Sequence, residues 1–365
     1  MSIFGAGHEV VTSSTKPASP SVGQMIYCTD TDEYLKYVSY GGANRWMQAV
    51  LKPNRNVIIN GGFAVDQRNA GAAQTITAAA ALAYTRDRWY AYCTGANVTV
   101  QRTAGSAPYQ YYYSVTGLAS NTAVGIGTRL EAANTYQLAN TTATLSGWFA
   151  STSLTSITWT AYYANTADSF GSVASPTRTS IATGTFTISS TLSYQSVAIS
   201  IPAAATTGIE IVFTTGALLG SQTLTITGVQ LEQGSVPSTF EFRDAGEELR
   251  RCQRYYYQMG PYASGGYGSF GTGFAINTTT IQVNIPYPVT MRSAPATLTT
   301  AAAAQYGNFV ANTITACNIA PNIAGVEKDV ARIQGFVASG MTAGGGAMLV
   351  ANLSTTAFLG FSAEL

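Results

Sequence analysis

From residue 88 to residue 231, short segments that alternate apolar with polar residues recur about every 8–15 residues, and no window carries the helical period of 3.6. The segments are 88–93, 98–102, 110–116, 123–131, 143–150, 157–163, 183–188, 194–201, 209–214 and 224–231. They are rich in Val, Ile, Thr, Tyr, Phe and Trp, and clusters of Gly, Ser, Asn and Pro separate them. A chain patterned this way buries one face of each strand against a second sheet. The expected fold is all-β, a two-sheet sandwich with jelly-roll character.

The flanking regions extend the reading. Residues 1–20, rich in Ser, Thr and Pro, are expected to form an extended arm that orders only against a partner. Residues 20–51 predict a β-meander, with strands at 25–28, 34–40 and 46–50 and a Gly-Gly-Ala-Asn turn at 41–44. Three strands bury little, so this module is expected to complete its core against its own copies or a neighbouring protein. The Ala-rich stretch 77–83 has no cap and reads as a loop. After residue 231, Gly234, Ser235, Pro237 and Ser238 break the strand, and Phe240 and Phe242 alternate with Glu241. Asp244 with Glu247 makes a capping-box pattern. Leu249, Cys252 and Tyr255 or Tyr256 form one helical stripe, with Arg250, Arg251 and Arg254 where cations suit the helix dipole. A second β-domain follows, with strands at 255–258, 274–277, 280–285, 330–336, 347–352 and 358–365. The organisation is an arm and module (1–54), a jelly-roll domain (55–243), a linker helix (244–254) and a C-terminal β-sandwich (255–365).

Charged residues make up 10% of the chain, against roughly 25% in ordinary soluble domains. Uncharged polar side chains must therefore cover the surface, which suits copies packed together in a homo-oligomer. Net charge is +1 and there is no basic stripe, so neither nucleic acid nor an anionic membrane is an expected partner. No signal peptide and no apolar run long enough to span a bilayer is visible. Cys28, Cys93, Cys252 and Cys317 are scattered, form no CxxC pair and are expected to be isolated buried thiols. His8 is the single histidine and lies in the arm.

No metal or cofactor is expected. Asp30 and Asp32 start an acidic turn, but an EF-hand needs Gly at position six and Glu at twelve, and Leu35 and Gly41 stand there. Catalysis is not expected either. The folded part has no histidine for a nucleophile–base pair. The acids best placed for glycoside hydrolysis, Asp66, Asp87, Glu131, Asp168 and Glu210, are scattered, and Asp87 between Arg86 and Arg88 reads as an ion-pair partner.

The aromatic residues divide between core and surface. Trp89, Trp148 and Trp159 suit the inward face of strands, with Trp148 expected in the core beside Leu145 and Phe149. Runs such as Tyr111–Tyr112–Tyr113 and Tyr162–Tyr163 must place rings on both faces. Tyr111, Tyr113 and Tyr162 are the candidates to stack on a sugar. Residues 260–273, GPYASGGYGSFGTG, lack the lysine and spacing of a phosphate loop and resemble a paratope in composition. This makes Tyr262, Tyr267 and Phe270 candidate receptor contacts.

Three stretches carry a resemblance. The run GVQLEQGSVPSTFEFRDAGEELRRCQRYYY, followed by MRSAP at 291–295, resembles bacteriophage tail fibre and related virion proteins. In those proteins it joins a carbohydrate-binding-module-like jelly roll to a C-terminal β-domain. NVIINGGFAVDQR with the later Asp87-Arg88-Trp89 is similar to the opening of such jelly rolls. Residues 23–50 resemble a small module found near the attachment end of phage structural proteins. The resemblance implies a non-enzymatic tail fibre or receptor-binding fibre in the virion. It would be homotrimeric, docked to another virion protein by its N-terminal module, and would present its sandwiches to a host surface glycan. A capsid decoration or head-fibre protein is the rival, and a free carbohydrate-binding module a third reading.

Overall fold

A computed structural model describes residues 9–50, 52–79, 81–262 and 266–365; His8 lies outside them. The chain is nearly all β and divides into two compact units, residues 1–244 with 365, and 245–364.

The first unit opens with β1 (Glu9–Val11), β2 (Met25–Cys28), β3 (Glu33–Tyr40) and β4 (Ala43–Gln48), side by side in one sheet. Part of the expected arm is ordered within the chain itself. Residues 9–11 add to β2 as a parallel strand, and Val11 is buried with Ile26, Cys28 and Leu35. Nor is the small core left to other chains, because Val236 of the same chain closes it. Asp30 and Asp32 are turn residues: Asp30 accepts from the Ser13 backbone N–H at 2.8 Å, and Asp32 from the Tyr27 hydroxyl at 2.7 Å.

The sandwich follows. Its strands are β5 (Gln74–Ile76), β6 (Ala83–Arg86), β7 (Trp89–Thr94), β8 (Val98–Ala104), β9 (Tyr111–Thr116) and β10 (Ala123–Leu130). After the short helix α1 (Ala132–Thr135) come β11 (Thr142–Ser151), β12 (Ser156–Ala164), β13 (Arg178–Thr187), β14 (Ser193–Ser200), β15 (Ile209–Thr215) and β16 (Thr223–Gln233). One sheet runs β13-β12-β15-β10-β7-β6 and the other β14-β11-β16-β9-β8-β5. All ten expected segments are strands. The short β5 and β6 and the helical turn at 132–138 had too few residues to show a period.

Between the sheets lies one apolar core that includes Trp89, Tyr113, Phe149, Trp159 and Phe213. Fully burying side chains of this size contributes about 1.5–3 kcal/mol each. Trp148 is a correction. It follows Gly147 and precedes Phe149, so strand alternation turns it to the opposite face from Leu145 and Phe149. There it packs against Tyr194, Tyr40 and Tyr109, with ring centroids 5.5–5.9 Å apart. The β3–β4 turn rests on this outer face, where a Cβ on Gly41 would come within 2.3 Å of the Tyr194 Cβ.

The second unit contains α2 (Ala245–Gln253), which begins after Asp244 and carries the pair Arg251–Glu247 at 2.8 Å. Its strands are β17 (Tyr256–Met259), β18 (Ser269–Ala275), β19 (Thr280–Pro286), β20 (Thr297–Thr300), β21 (Tyr306–Val310), β22 (Thr313–Ala316), β23 (Ile319–Val326), β24 (Val330–Phe336), β25 (Gly346–Ala351) and β26 (Leu359–Ser362). A three-stranded sheet, β17-β26-β20, and a seven-stranded sheet, β22-β21-β25-β18-β19-β24-β23, share a core built on Phe270, Ile281, Ile333, Leu349 and Phe361. Residues 269–273, expected in a loop, are the start of β18. All four cysteines are buried thiols outside any disulfide, and burial pushes the Cys317 thiol up to about 11.

Candidate functional site

The sequence stretches that carry the resemblance turn out to be fastenings. Asn56 donates to the Val229 carbonyl at 3.2 Å, and its own carbonyl oxygen accepts from the backbone N–H of Ile58 and Leu231. Asn60 clamps Val65 and the Asp87 carbonyl in the same way. Outward on β16, Gln230 and Glu232 hold the segment that leaves the sheet. Glu232 is fully buried and accepts from the Ser238 backbone N–H at 2.7 Å, from its hydroxyl, and from Gln230 Nε2. Gly228, with φ of +59°, bulges β16 so that Leu224 and Ile226 on one side and Val229 and Leu231 on the other all face the core. These polar residues are consumed in fixing the fold, and a ligand has little left to bind there.

A different face offers a surface for chemistry. On the outside of the first sheet, β7 places Tyr90 and Tyr92 against β10, where Gly125 and Gly127 stand opposite. A Cβ on Gly125 would lie 2.1 Å from the Tyr92 ring, and one on Gly127 2.3 Å from the Tyr90 hydroxyl. The two rings therefore lie down on bare backbone, 6.4 Å apart and 23° from parallel. Tyr90 is fully buried, and its hydroxyl donates to Glu210 at 2.6 Å. Tyr92 is half-buried, with one ring face on the glycine.

Beside it Tyr162 on β12 stacks under Arg178, whose guanidinium carbon is 4.1 Å from the ring centre. Glu210, fully buried on β15, is paired with Arg178 and with Arg129 at 2.7 Å. A charge so deeply buried is tolerable only when paired and hydrogen-bonded. The pairing locks both guanidinium groups in place. Burial raises the hydroxyls of Tyr90 and Tyr92 above the ordinary tyrosine range, so both stay neutral donors and acceptors. A half-exposed ring laid flat, with oriented polar groups at its margin, suits a molecule with one apolar face and many hydroxyls.

Of the candidates read from sequence, Tyr162 belongs to this face. Tyr111 is half-buried on the other sheet, with Arg102 at 4.2 Å from its ring centre. Tyr113 is a correction. It is fully buried, and its hydroxyl is bonded to Thr85 at 2.7 Å, so no ring face is free. Phe270 is likewise core, 2% exposed, because it points inward from β18. Tyr262 is half-buried against Phe270 and donates to the Ser269 carbonyl. Tyr267 is 48% exposed, and residues 263–265 of that loop lie outside the described residues. Tyr92 and Arg178 were missed as site residues, and Glu210 was weighed only as a catalytic acid. The available signal was Gly-x-Gly on β10, since bare positions in a strand mark close approach.

The acids considered for catalysis are each occupied. Asp66 pairs with Arg86 at 3.3 Å, Asp87 accepts from Gln67, Asp168 accepts from the Ala132 backbone N–H, and Glu131 is buried beside Asn134. A polar groove of about 620 Å³ lies between the first module and the sandwich, lined by Tyr34, Lys52, Arg55 and Thr142 among others. Its acidic wall is also engaged, with Glu33 accepting from Ser235 and Gln48.

Fold and face together define an all-β sandwich protein with a tyrosine-paved outer sheet. No family model matches the sequence, and no curated protein matches it. Among solved structures, the chain is similar to the enzymatically active domain of tailspike protein 4 of bacteriophage CBA120, with 13% identity and a TM-score of 0.32. That match covers 51% of this chain and only 22% of the tailspike chain. It is also similar to a putative sugar binding protein from Bacteroides thetaiotaomicron, with 13% identity, a TM-score of 0.32, and 49% and 100% covered. A third is the C-terminal family 22 carbohydrate binding module of Clostridium thermocellum Xyn10B, with 16% identity, a TM-score of 0.28, and 41% and 87% covered.

Proposed function

We propose that this chain is a non-catalytic component of a bacteriophage particle, a tail fibre or receptor-binding fibre, and that its first sandwich binds a host-surface glycan. The N-terminal module docks the chain to another virion protein, and the sandwiches face the host. The observation that carries the glycan reading is Tyr92 laid flat over Gly125 beside the Tyr162–Arg178 stack, with Arg178 fixed by Glu210. A pyranose presents an apolar face to a ring and its hydroxyls to the margin. The run through residues 226–257, with its resemblance to tail fibres, supports the virion context.

The test is binding of the purified chain to an array of bacterial surface polysaccharides and to host cells. Saturable binding that falls at least tenfold in Tyr92→Ala and in Tyr162→Ala, with circular dichroism unchanged, is expected. No binding to any polysaccharide or cell, or binding indifferent to both substitutions, overturns the reading.

A further inference from the structure

We infer that the glycan taken by the tyrosine face is acidic, a polysaccharide whose sugars carry carboxylates, and that Arg178 is the residue that selects it. The inference rests on the glycan reading above and names the class of sugar at that same site.

The charges on the face are few and unequal in reach. Along the six strands of the first sheet, Glu210 is the single carboxylate among the described residues, and it is fully buried. Three arginines stand on the same strands. Arg86 is fully buried on Asp66. Arg129, with a side chain 6% exposed, gives Nε to Glu210 and Nη2 to the Gly171 carbonyl. Arg178, at the start of β13, keeps 14% of its side chain exposed. On this sheet an incoming molecule therefore meets a cation and no anion.

The donors that Arg178 has left decide the class. Its Nη1 donates to Glu210 Oε2, and the Tyr162 ring supports the guanidinium from one side. Nε and Nη2 make no hydrogen bond among the described residues, and neither is sealed from solvent. These two nitrogens form one edge of the planar group, with their N–H bonds side by side. A carboxylate meets that edge with both oxygens at once, and such charge-assisted pairs are roughly twice as strong as neutral hydrogen bonds. A sugar hydroxyl offers one oxygen and no charge.

Glu210 is already engaged from the other side, where Oε1 accepts from the Tyr90 hydroxyl at 2.6 Å and from Arg129 Nε at 2.7 Å. Its second oxygen holds Arg178 still, so little side-chain freedom is lost when a ligand arrives. Arg178 also reaches the stacking ring. Burial raises the Tyr92 hydroxyl, Arg178 pulls it the other way, and Tyr162 adds to the rise, so the three polar ends share one patch. A carboxylate on the stacked sugar, or on the next one along the chain, comes within reach of the free edge. In this partly buried setting the attraction is screened less than at an open surface.

The full-length chain is titrated calorimetrically with uronate-bearing bacterial polysaccharides and with the same polysaccharides after carbodiimide-mediated reduction of their carboxyl groups to alcohols. Wild type is expected to bind the acidic forms at least about tenfold more tightly. Raising NaCl from about 50 to about 500 mM should weaken binding of the acidic forms alone. Arg178→Lys keeps a cation for Glu210 and removes the two-nitrogen edge. With circular dichroism unchanged, it should narrow the gap between acidic and reduced forms by about fivefold or more. The comparison of the two polysaccharide forms needs no change in the protein, so it stands even where a variant fails to fold. Equal binding of both forms, still lost in Tyr92→Ala, leaves the glycan reading in place and overturns this inference. A gap unchanged in Arg178→Lys overturns it too, as does a preference for phosphate-bearing over uronate-bearing polysaccharides. If no polysaccharide binds at all, the glycan reading falls and this inference falls with it.

Discussion

Substituting Gly125→Ala separates the proposed stacking surface from the fold that carries it. The new Cβ would lie 2.1 Å from Tyr92 Cζ, 2.3 Å from Cε1 and 2.5 Å from the hydroxyl oxygen. Carbon contacts settle near 3.5–4.0 Å, so the ring must rise by roughly 1.4 Å. The obstacle is the far end of a side chain, so the ring swings and the backbone stays. Leaving a rotamer minimum costs about 0.5–1.5 kcal/mol, and Ala recovers about 0.5–1 kcal/mol over Gly in a strand. The melting temperature should therefore move by no more than about 3 °C.

Binding should respond differently. A tilted ring loses the stacking increment, about 0.5–1.5 kcal/mol for ring pairs, so Kd should rise about 2- to 13-fold. Gly127→Ala is the internal contrast. Tyr90 is pinned by its bond to Glu210, and the Ile211 carbonyl lies 3.0 Å from the new Cβ, so strain there enters the fold. Calorimetric titration with the polysaccharide, read beside thermal melts, checks both variants. If Gly125→Ala binds as wild type while Tyr92→Ala does not, flatness of the ring is irrelevant and the reasoning fails. It fails equally if Gly125→Ala unfolds the domain.

Asn56→Ala strips partners from Ile58, Leu231 and Val229 at once, each buried. With about 1–3 kcal/mol for an orphaned buried group and partial relaxation, a loss of about 3 kcal/mol is expected. In a calorimetric scan this should lower the transition of the first unit by about 6–12 °C. Glu232 carries a pH signature. Burial holds its carboxyl above the usual carboxylate range, against the Ser238 and Gln230 donors that pull the other way. An acid whose folded pKa is raised contributes stability below its unfolded value and loses it as pH rises through the folded one. Glu232→Gln should therefore flatten the fall in urea midpoint seen for wild type as pH rises above the ordinary carboxylate range; parallel curves for the two proteins would refute this.

Much of the fold was readable because strand period is a local property. Each of the ten segments between residues 88 and 231 announces itself through alternation alone. Pairing is not local, and neither is burial. Tyr113 and Tyr112 are chemically alike in sequence, yet one enters the core and the other faces outward from β9. Trp148 was misplaced for the same reason, although strict alternation from Leu145 would have turned it outward. In the second unit, β20 and β22 have four residues each and are rich in Thr, so their period drowns in small residues. The tyrosine face was hidden because Tyr92, Tyr162, Arg178 and Glu210 come from four strands far apart in the chain. Only Gly125 and Gly127 hinted at it, and a glycine reports that something lies close, without saying what.

The chain enters and leaves the first sandwich at a single point. Arg55 donates to the Ser238 hydroxyl at 2.6 Å and to the Thr239 carbonyl at 2.7 Å; Asn56 N–H reaches Glu241, and Arg243 reaches the Asn56 and Ile58 carbonyls. Some 180 residues thus hang as a closed loop from one stitched junction. Such a loop behaves as a cassette. Exchanging everything between the stitches for another sandwich with the same spacing at its ends leaves the incoming and outgoing chain where they were. Variation in what is recognised can then accumulate without disturbing how the neighbouring parts are strung.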